Sequence, residues 1–218
     1  MDGLVTQGAS RTGCHGLREY RLVVYPDTTV YNKLMGVKQR FYMNYGIEDA
    51  VKTFPQITVA GFYASEGMEE TLIRWIQRIC SRVNSFPVNL NNYSGIPTHT
   101  IYLRIQNPQP FRQLANELQA IDHYVRSSSG RPARQGQPYL SIAGELPEQV
   151  FLKAMPVYSR KTFHACFTAH ELVLLAKDHP FATPKTVTVF RFLPANQPVG
   201  MAGLPDRQTG KNQVNEMA

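Results

Sequence analysis

Apolar positions along the chain follow two spacings, and the switches between them mark out the elements. Glu19-Tyr-Arg-Leu-Val-Val-Tyr25 is rich in β-branched and aromatic residues and predicts a strand, which Pro26-Asp27 ends. Val30, Leu34, Val37, Phe41 and Tyr45 then recur at helical spacing, and Gly46 is placed to close that helix. Ile57 to Tyr63 predicts the next strand, and Met68, Leu72, Ile76, Ile79 and Val83 a second helix. Glu69 and Glu70 lie in its first turn, where they suit the helix dipole.

Two strand-like runs follow, Pro87 to Tyr93 and His99 to Ile105. A third helix is marked by Phe111, Leu114, Leu118, Ile121 and Val125, and Ser127 to Gly136 predicts a long polar, basic loop. Tyr139 to Ala143 predicts a strand and Pro147 to Met155 a helix, with proline at an allowed first-turn position. Strands at Thr162–Thr168, Glu171–Ala176 and Thr186–Phe192 complete the pattern. Interleaved strands and helices predict an α/β or α+β architecture. Gly/Ser/Thr-rich and Pro/Gly-rich ends set the organisation: residues 1–17 a flexible N-terminal segment, 18–193 a single bilobal domain, 194–218 a flexible C-terminal tail.

One short segment occurs twice. Pro55-Gln-Ile-Thr-Val-Ala-Gly61 returns 83 residues later as Pro138-Tyr-Leu-Ser-Ile-Ala-Gly144. Both copies read Pro, any residue, aliphatic, Thr/Ser, aliphatic, Ala, Gly. A repeat at nearly half the length of the folded part predicts two similar lobes rather than a solenoid. Side chains alternate faces along a strand, so Gln56 and Thr58 share one face, as do Tyr139 and Ser141. An approximate two-fold between the lobes would bring these four polar residues to one cleft. Half-exposed strands also alternate in this way, but that does not account for the recurrence of the whole pattern.

The duplicated segment resembles the paired motifs of the two-histidine phosphoesterase superfamily, which includes bacterial 2′-5′ RNA ligase/cyclic phosphodiesterase proteins. Their motifs read Pro-His-aliphatic-Thr/Ser-aliphatic, one per lobe. Leu22-Val-Val-Tyr25 and Thr98-His-Thr-Ile-Tyr102 are further local matches. The resemblance implies an α+β (α/β) bilobal fold of pseudo-two-fold symmetry, with two mainly antiparallel sheets lining a central cleft and helices outside. In the family the two histidines act as general base and acid on a 2′,3′-cyclic or 2′-5′ phosphodiester, and the Thr/Ser hydroxyls hold the phosphate. Here Gln56 and Tyr139 stand at the histidine positions, and Gly144 where an arginine often follows the second motif. Glutamine does not titrate, and tyrosine, with a pKa of about 10, is a poor base at neutral pH. Thr58 and Ser141 retain the phosphate-binding hydroxyls.

Charge and the remaining chemistry refine this reading. The formal net charge of +7 favours an anionic partner, a nucleotide or RNA terminal phosphate, although the basic residues are scattered. Arg104, Arg131 and Arg134 are candidate phosphate contacts, and His99 is the candidate replacement for a lost catalytic histidine. His99 shares a strand face with Ile101 and Leu103 on this reading, so a packed histidine is an equal expectation. Cys14, Cys80 and Cys166 form no metal-ligand spacing, and the expectation is two buried thiols, no metal and no cofactor. No apolar run approaches the roughly 20 residues that cross a bilayer, so a soluble, cytoplasmic protein is expected. The leading expectation is a degenerate family member that binds phosphate without efficient turnover. An active phosphodiesterase using Tyr139 and His99, and a non-catalytic interaction scaffold, stand as alternatives.

Overall fold

A computed structural model describes residues 17–125, 133–134, 137–179 and 182–195. The two expected terminal segments lie almost wholly outside these residues. The elements run β1 (Leu17–Val24), α1 (Thr28–Tyr45), α2 (Asp49–Lys52), β2 (Ile57–Ser65), α3 (Glu69–Cys80), β3 (Phe86–Ile96), β4 (Thr100–Ile105) and α4 (Gln109–Glu117). They continue with β5 (Ala133–Arg134), β6 (Tyr139–Ala143), α5 (Glu148–Ser159), β7 (His164–Ala169), β8 (Glu171–Lys177) and β9 (Lys185–Arg191).

Local chemistry sets the longest helix. The Asp27 side chain accepts from the Val30 N–H at 2.8 Å and caps α1. Gly46 ends it in the left-handed region, with its N–H donating to the Tyr42 carbonyl. Val30, Leu34, Val37 and Phe41 form its buried stripe, as their spacing predicts. Between α1 and β2 lies the short helix α2, which the hydrophobic pattern does not announce.

The strands form a nine-stranded sheet of order β7-β3-β4-β6-β2-β1-β8-β9, with β5 pairing β2, and the pairings within it are antiparallel. This order is symmetric about its middle. On one side β6 pairs the earlier strand β4; on the other β2 pairs the earlier strand β1. The helices repeat the relation, because α1 follows β1 yet packs on β6, and α4 follows β4 yet packs on β2. The chain thus folds as the α+β, pseudo-two-fold architecture that the repeat predicts.

The two expected sheets are halves of one. They are joined where Ile57 of β2 faces Leu140 of β6. Farther along, β2 pairs β5 instead, through Ala60 and Gly61. Ile57 and Leu140 are the third residues of the two repeat copies, so the pseudo-two-fold passes between them. Both are fully buried. Burial of two such side chains contributes about 1.5–3 kcal/mol each, more than the roughly 0.5–1.5 kcal/mol of a backbone hydrogen bond, so the core beneath holds the seam.

Three further expectations change. Residues Leu118–Tyr124 form a 3-10 helix rather than a continuation of α4. Leu118 and Ile121 are buried at a spacing of three, the 3-10 period, and five apolar positions spaced alternately by three and four fit either helix. His99 lies in the turn before β4 and is exposed, not packed on a strand face. Cys80 is buried but Cys166 is exposed, because β7 is the edge strand and Cys166 faces outward from it.

Candidate functional site

The two repeat copies share one burial pattern. From Pro55 to Gly61 and from Pro138 to Gly144 the chain runs buried, half-buried, buried, half-buried, buried, buried, half-buried. The buried aliphatic residues face the helices, and the half-buried polar ones face away. Because the copies meet at Ile57 and Leu140, their polar residues converge. Gln56, Thr58, Tyr139 and Ser141 line a single cleft of about 260 Å³.

The remaining walls come from residues beside the motifs. Asp49, Thr53 and Phe54 close the cleft on the α2 side, and Gly144 and Glu145 on the other. A Cβ on Gly144 would stand 3.7 Å from Ser141 Oγ and 3.9 Å from Thr100 Oγ1, so the missing side chain leaves the serine hydroxyl accessible. Glu145 is held in the left-handed region (φ 53°), a conformation that costs a non-glycine residue roughly 1–2 kcal/mol. The following residue anchors it, with the Leu146 N–H donating to the His99 carbonyl at 2.9 Å. The Tyr139 ring leans on Tyr102, with centroids 4.8 Å apart, which fixes one wall.

Beneath the α2 wall lies Lys38, a lysine only 1% exposed. Its ammonium donates to the Ala50 carbonyl (2.9 Å), the Thr53 hydroxyl (3.1 Å) and the Ile142 carbonyl (3.0 Å). The Thr53 hydroxyl in turn donates to the Asp49 carbonyl at 2.9 Å. Lys38 therefore ties α1, the Asp49–Thr53 wall and the second motif to one cationic centre. Burial pulls its pKa down to about 8, so the ammonium form still prevails at neutral pH.

The other candidates fall at different distances from the cleft. His99 is outside the lining, its Nδ1 2.7 Å from Thr100 Oγ1. Arg104 is exposed on β4 directly opposite Tyr139, so it shares that face but does not line the cleft. Arg131 lies outside the described residues. Arg134 is placed by its backbone in β5, beside Ala60 of the first motif. Among the described residues no group of three His, Cys, Asp or Glu is arranged to hold a metal ion. None of their helices is long and apolar enough to cross a membrane.

Sequence reasoning missed Asp49, Thr53, Phe54, Glu145 and Lys38. Thr53-Phe54 and Glu145 directly flank the two motifs, and that adjacency was a usable signal. Asp49 and Lys38 gave none.

Comparison with known proteins agrees with this architecture. Residues 40–180, more than half of the chain, match the model of the 2′-5′ RNA ligase superfamily, and the chain belongs to that superfamily. The fold is similar to that of E. coli LigT complexed with 3′-AMP, with a TM-score of 0.58 at 14% identity, covering 81% of this chain and 98% of that one. It is also similar to TT0787 of Thermus thermophilus, with a TM-score of 0.52 at 13% identity, covering 80% and 97%. A third similar structure, described as a phosphoesterase, gives a TM-score of 0.54 at 12% identity, covering 81% and 99%. No curated protein matches the chain in sequence.

Proposed function

We propose that the cleft binds the phosphate of a nucleotide or RNA end and turns it over poorly. The observation that carries this reading is the convergence of Thr58 and Ser141, one hydroxyl from each repeat, with the Gln56 amide between the same walls. These neutral donors suit phosphate oxygens. E. coli LigT has been captured with 3′-AMP, NADP+, phosphate and ATP, which supports a nucleotide as ligand class.

The charges assign an orientation. Asp49 and Glu145 repel phosphate but accept hydrogen bonds from ribose hydroxyls, so the phosphate lies at the Thr58–Ser141 side. The Lys38 ammonium behind Thr53 offsets part of the carboxylate field. Phe54 is 63% exposed and also lines an adjoining groove with Tyr25 and Tyr31, where a base can stack. Such stacking is worth about 1–3 kcal/mol.

Poor turnover follows from the residues at the two acid–base positions. A general acid or base contributes roughly 10²–10⁴-fold, and Gln56 and Tyr139 stand where the family carries its histidines. An active, remodelled phosphodiesterase is the second reading, favoured by the carboxylates of Asp49 and Glu145 in the same cleft as Tyr139.

Phosphorus NMR of a 2′,3′-cyclic nucleotide with the full chain at neutral pH separates these readings. The expected result is an unchanged substrate whose line broadens with protein, and loses that broadening in a Thr58→Ala/Ser141→Ala variant. Conversion to a 2′- or 3′-monophosphate that Tyr139→Phe abolishes would establish the enzyme instead. No protein-dependent change would leave the fold as an interaction scaffold.

A further inference from the structure

A second pocket, of about 480 Å³, opens between α1, the end of α5 and the segment entering β7, and shares no lining residue with the cleft. Its floor is aromatic, made of the buried rings of Tyr93, Tyr158 and Phe163. Its rim is cationic: Lys33 and Arg40 come from α1, Arg160 and Lys161 from the turn after α5. Among the described residues no carboxylate lines it, and none of these four cations is in an ion pair.

Two of the cations are fixed over the floor. The Lys33 ammonium stands 4.8 Å from the Phe163 ring centroid and donates to the His164 carbonyl at 2.6 Å. The Lys161 ammonium stands 4.3 Å from the Tyr158 centroid. These contacts place cations on the faces of Phe163 and Tyr158, which leaves less ring surface for a base to stack on. They also hold the ammonium groups over the pocket.

The floor carries an unmet donor. Tyr158 is 1% exposed, and its hydroxyl has no hydrogen-bond partner among the described residues. Leaving such a group unpaired is costly, and buried polar groups are nearly always paired. Burial pushes its pKa to about 12, so at neutral pH it keeps its proton and can donate.

We propose that this pocket is a second oxyanion site, which takes a phosphate group of two or more negative charges independently of the cleft. The guanidinium groups of Arg40 and Arg160 supply paired N–H donors, the Lys33 and Lys161 ammonium groups neutralise the remaining charge, and the Tyr158 hydroxyl donates from below. Four cations with no compensating carboxylate match a multiply charged anion better than a carboxylate or a neutral ligand.

Calorimetric titration of the full chain with inorganic pyrophosphate at low salt tests this. Pyrophosphate is expected to bind, and to bind equally well to the Thr58→Ala/Ser141→Ala variant, which separates this site from the cleft. Arg40→Gln and Arg160→Gln, both at exposed positions, should each weaken binding about tenfold or more, the scale of a charge-assisted hydrogen bond. Tyr158→Phe should weaken it by roughly three- to tenfold, the scale of one neutral donor. Arg191→Gln, an exposed cation on β9, should leave it unchanged. Amide NMR of the wild type should shift Val37, Tyr93 and Phe163 on addition of pyrophosphate. The inference is overturned if pyrophosphate does not bind, if Arg191→Gln weakens binding as much as Arg40→Gln, or if the cleft double variant abolishes it.

Discussion

On the proposed readings, the cleft and the basic pocket present opposite solutions to holding an anion. The cleft is lined by three hydroxyls, an amide, a phenol and two carboxylates, with its cation buried behind the wall. The pocket is rimmed by four cations and floored by aromatic rings. Neutral donors act only at hydrogen-bond distance and fix orientation, whereas exposed cations act over about a Debye length and are weakened by salt. On these proposals the chain separates geometric recognition from electrostatic attraction, and each can be altered without touching the other.

The largest expected effect comes from making the cleft chemical. Replacing Gln56→His and Tyr139→His together should raise hydrolysis of a 2′,3′-cyclic nucleotide by about 10²-fold or more over the wild type, since each acid–base group contributes roughly 10²–10⁴-fold. Product formation followed by phosphorus NMR measures it. A double variant that is folded and still inactive would show that the walls, including Asp49 and Glu145, and not the residues at positions 56 and 139, limit the chemistry.

Lys38 gives an effect of intermediate size. Its folded-state pKa of about 8 lies below the ordinary lysine value of 10.5, so between these values the unfolded chain binds more protons than the folded one. Stability of the wild type relative to Lys38→Met should therefore rise with pH across that window, by at most about 1.4 kcal/mol per pH unit, and be flat below it. Urea denaturation of both proteins from pH 6 to 10 measures the difference. A flat difference throughout would mean that Lys38 is not held as an isolated buried cation.

Salt should sharpen the contrast by a smaller factor. Between about 50 and 200 mM salt, pyrophosphate binding at the basic pocket should weaken several-fold more than nucleotide binding at the cleft, because screening acts on exposed charges far more than on short hydrogen bonds. Calorimetry at both ionic strengths, with Arg40→Gln isolating the cleft, reads the two slopes. Equal slopes would collapse the distinction between the sites.

Much of this arrangement was legible in the chain. The repeat was visible because strand alternation forces the same polar residues onto the same face in each copy, and both copies then share one burial pattern. The stripe Val30, Leu34, Val37 and Phe41 gave α1 for the same reason of fixed period. Lys38, next to that stripe, carries no signal of its own in the sequence. Its burial depends on carbonyls from residues 50 and 142, which no local pattern connects to it. His99 was misread because a strand pattern does not show where its turn ends. The basic pocket was invisible for a related reason, since Arg40 and Arg160 are 120 residues apart and each alone is a plain exposed cation.

By itself, then, the sequence determined most of the elements, the duplicated motif, its symmetry and the matching positions of Gln56 and Tyr139 in the two copies. These follow from periodicity and residue chemistry, which are local. Tertiary structure alone decided that the two halves join at Ile57 and Leu140, that carboxylates wall the cleft, and that four scattered cations share one rim. Those outcomes depend on which distant segments pack together, and packing is selected by the fit of the whole core rather than by any one stretch of chain.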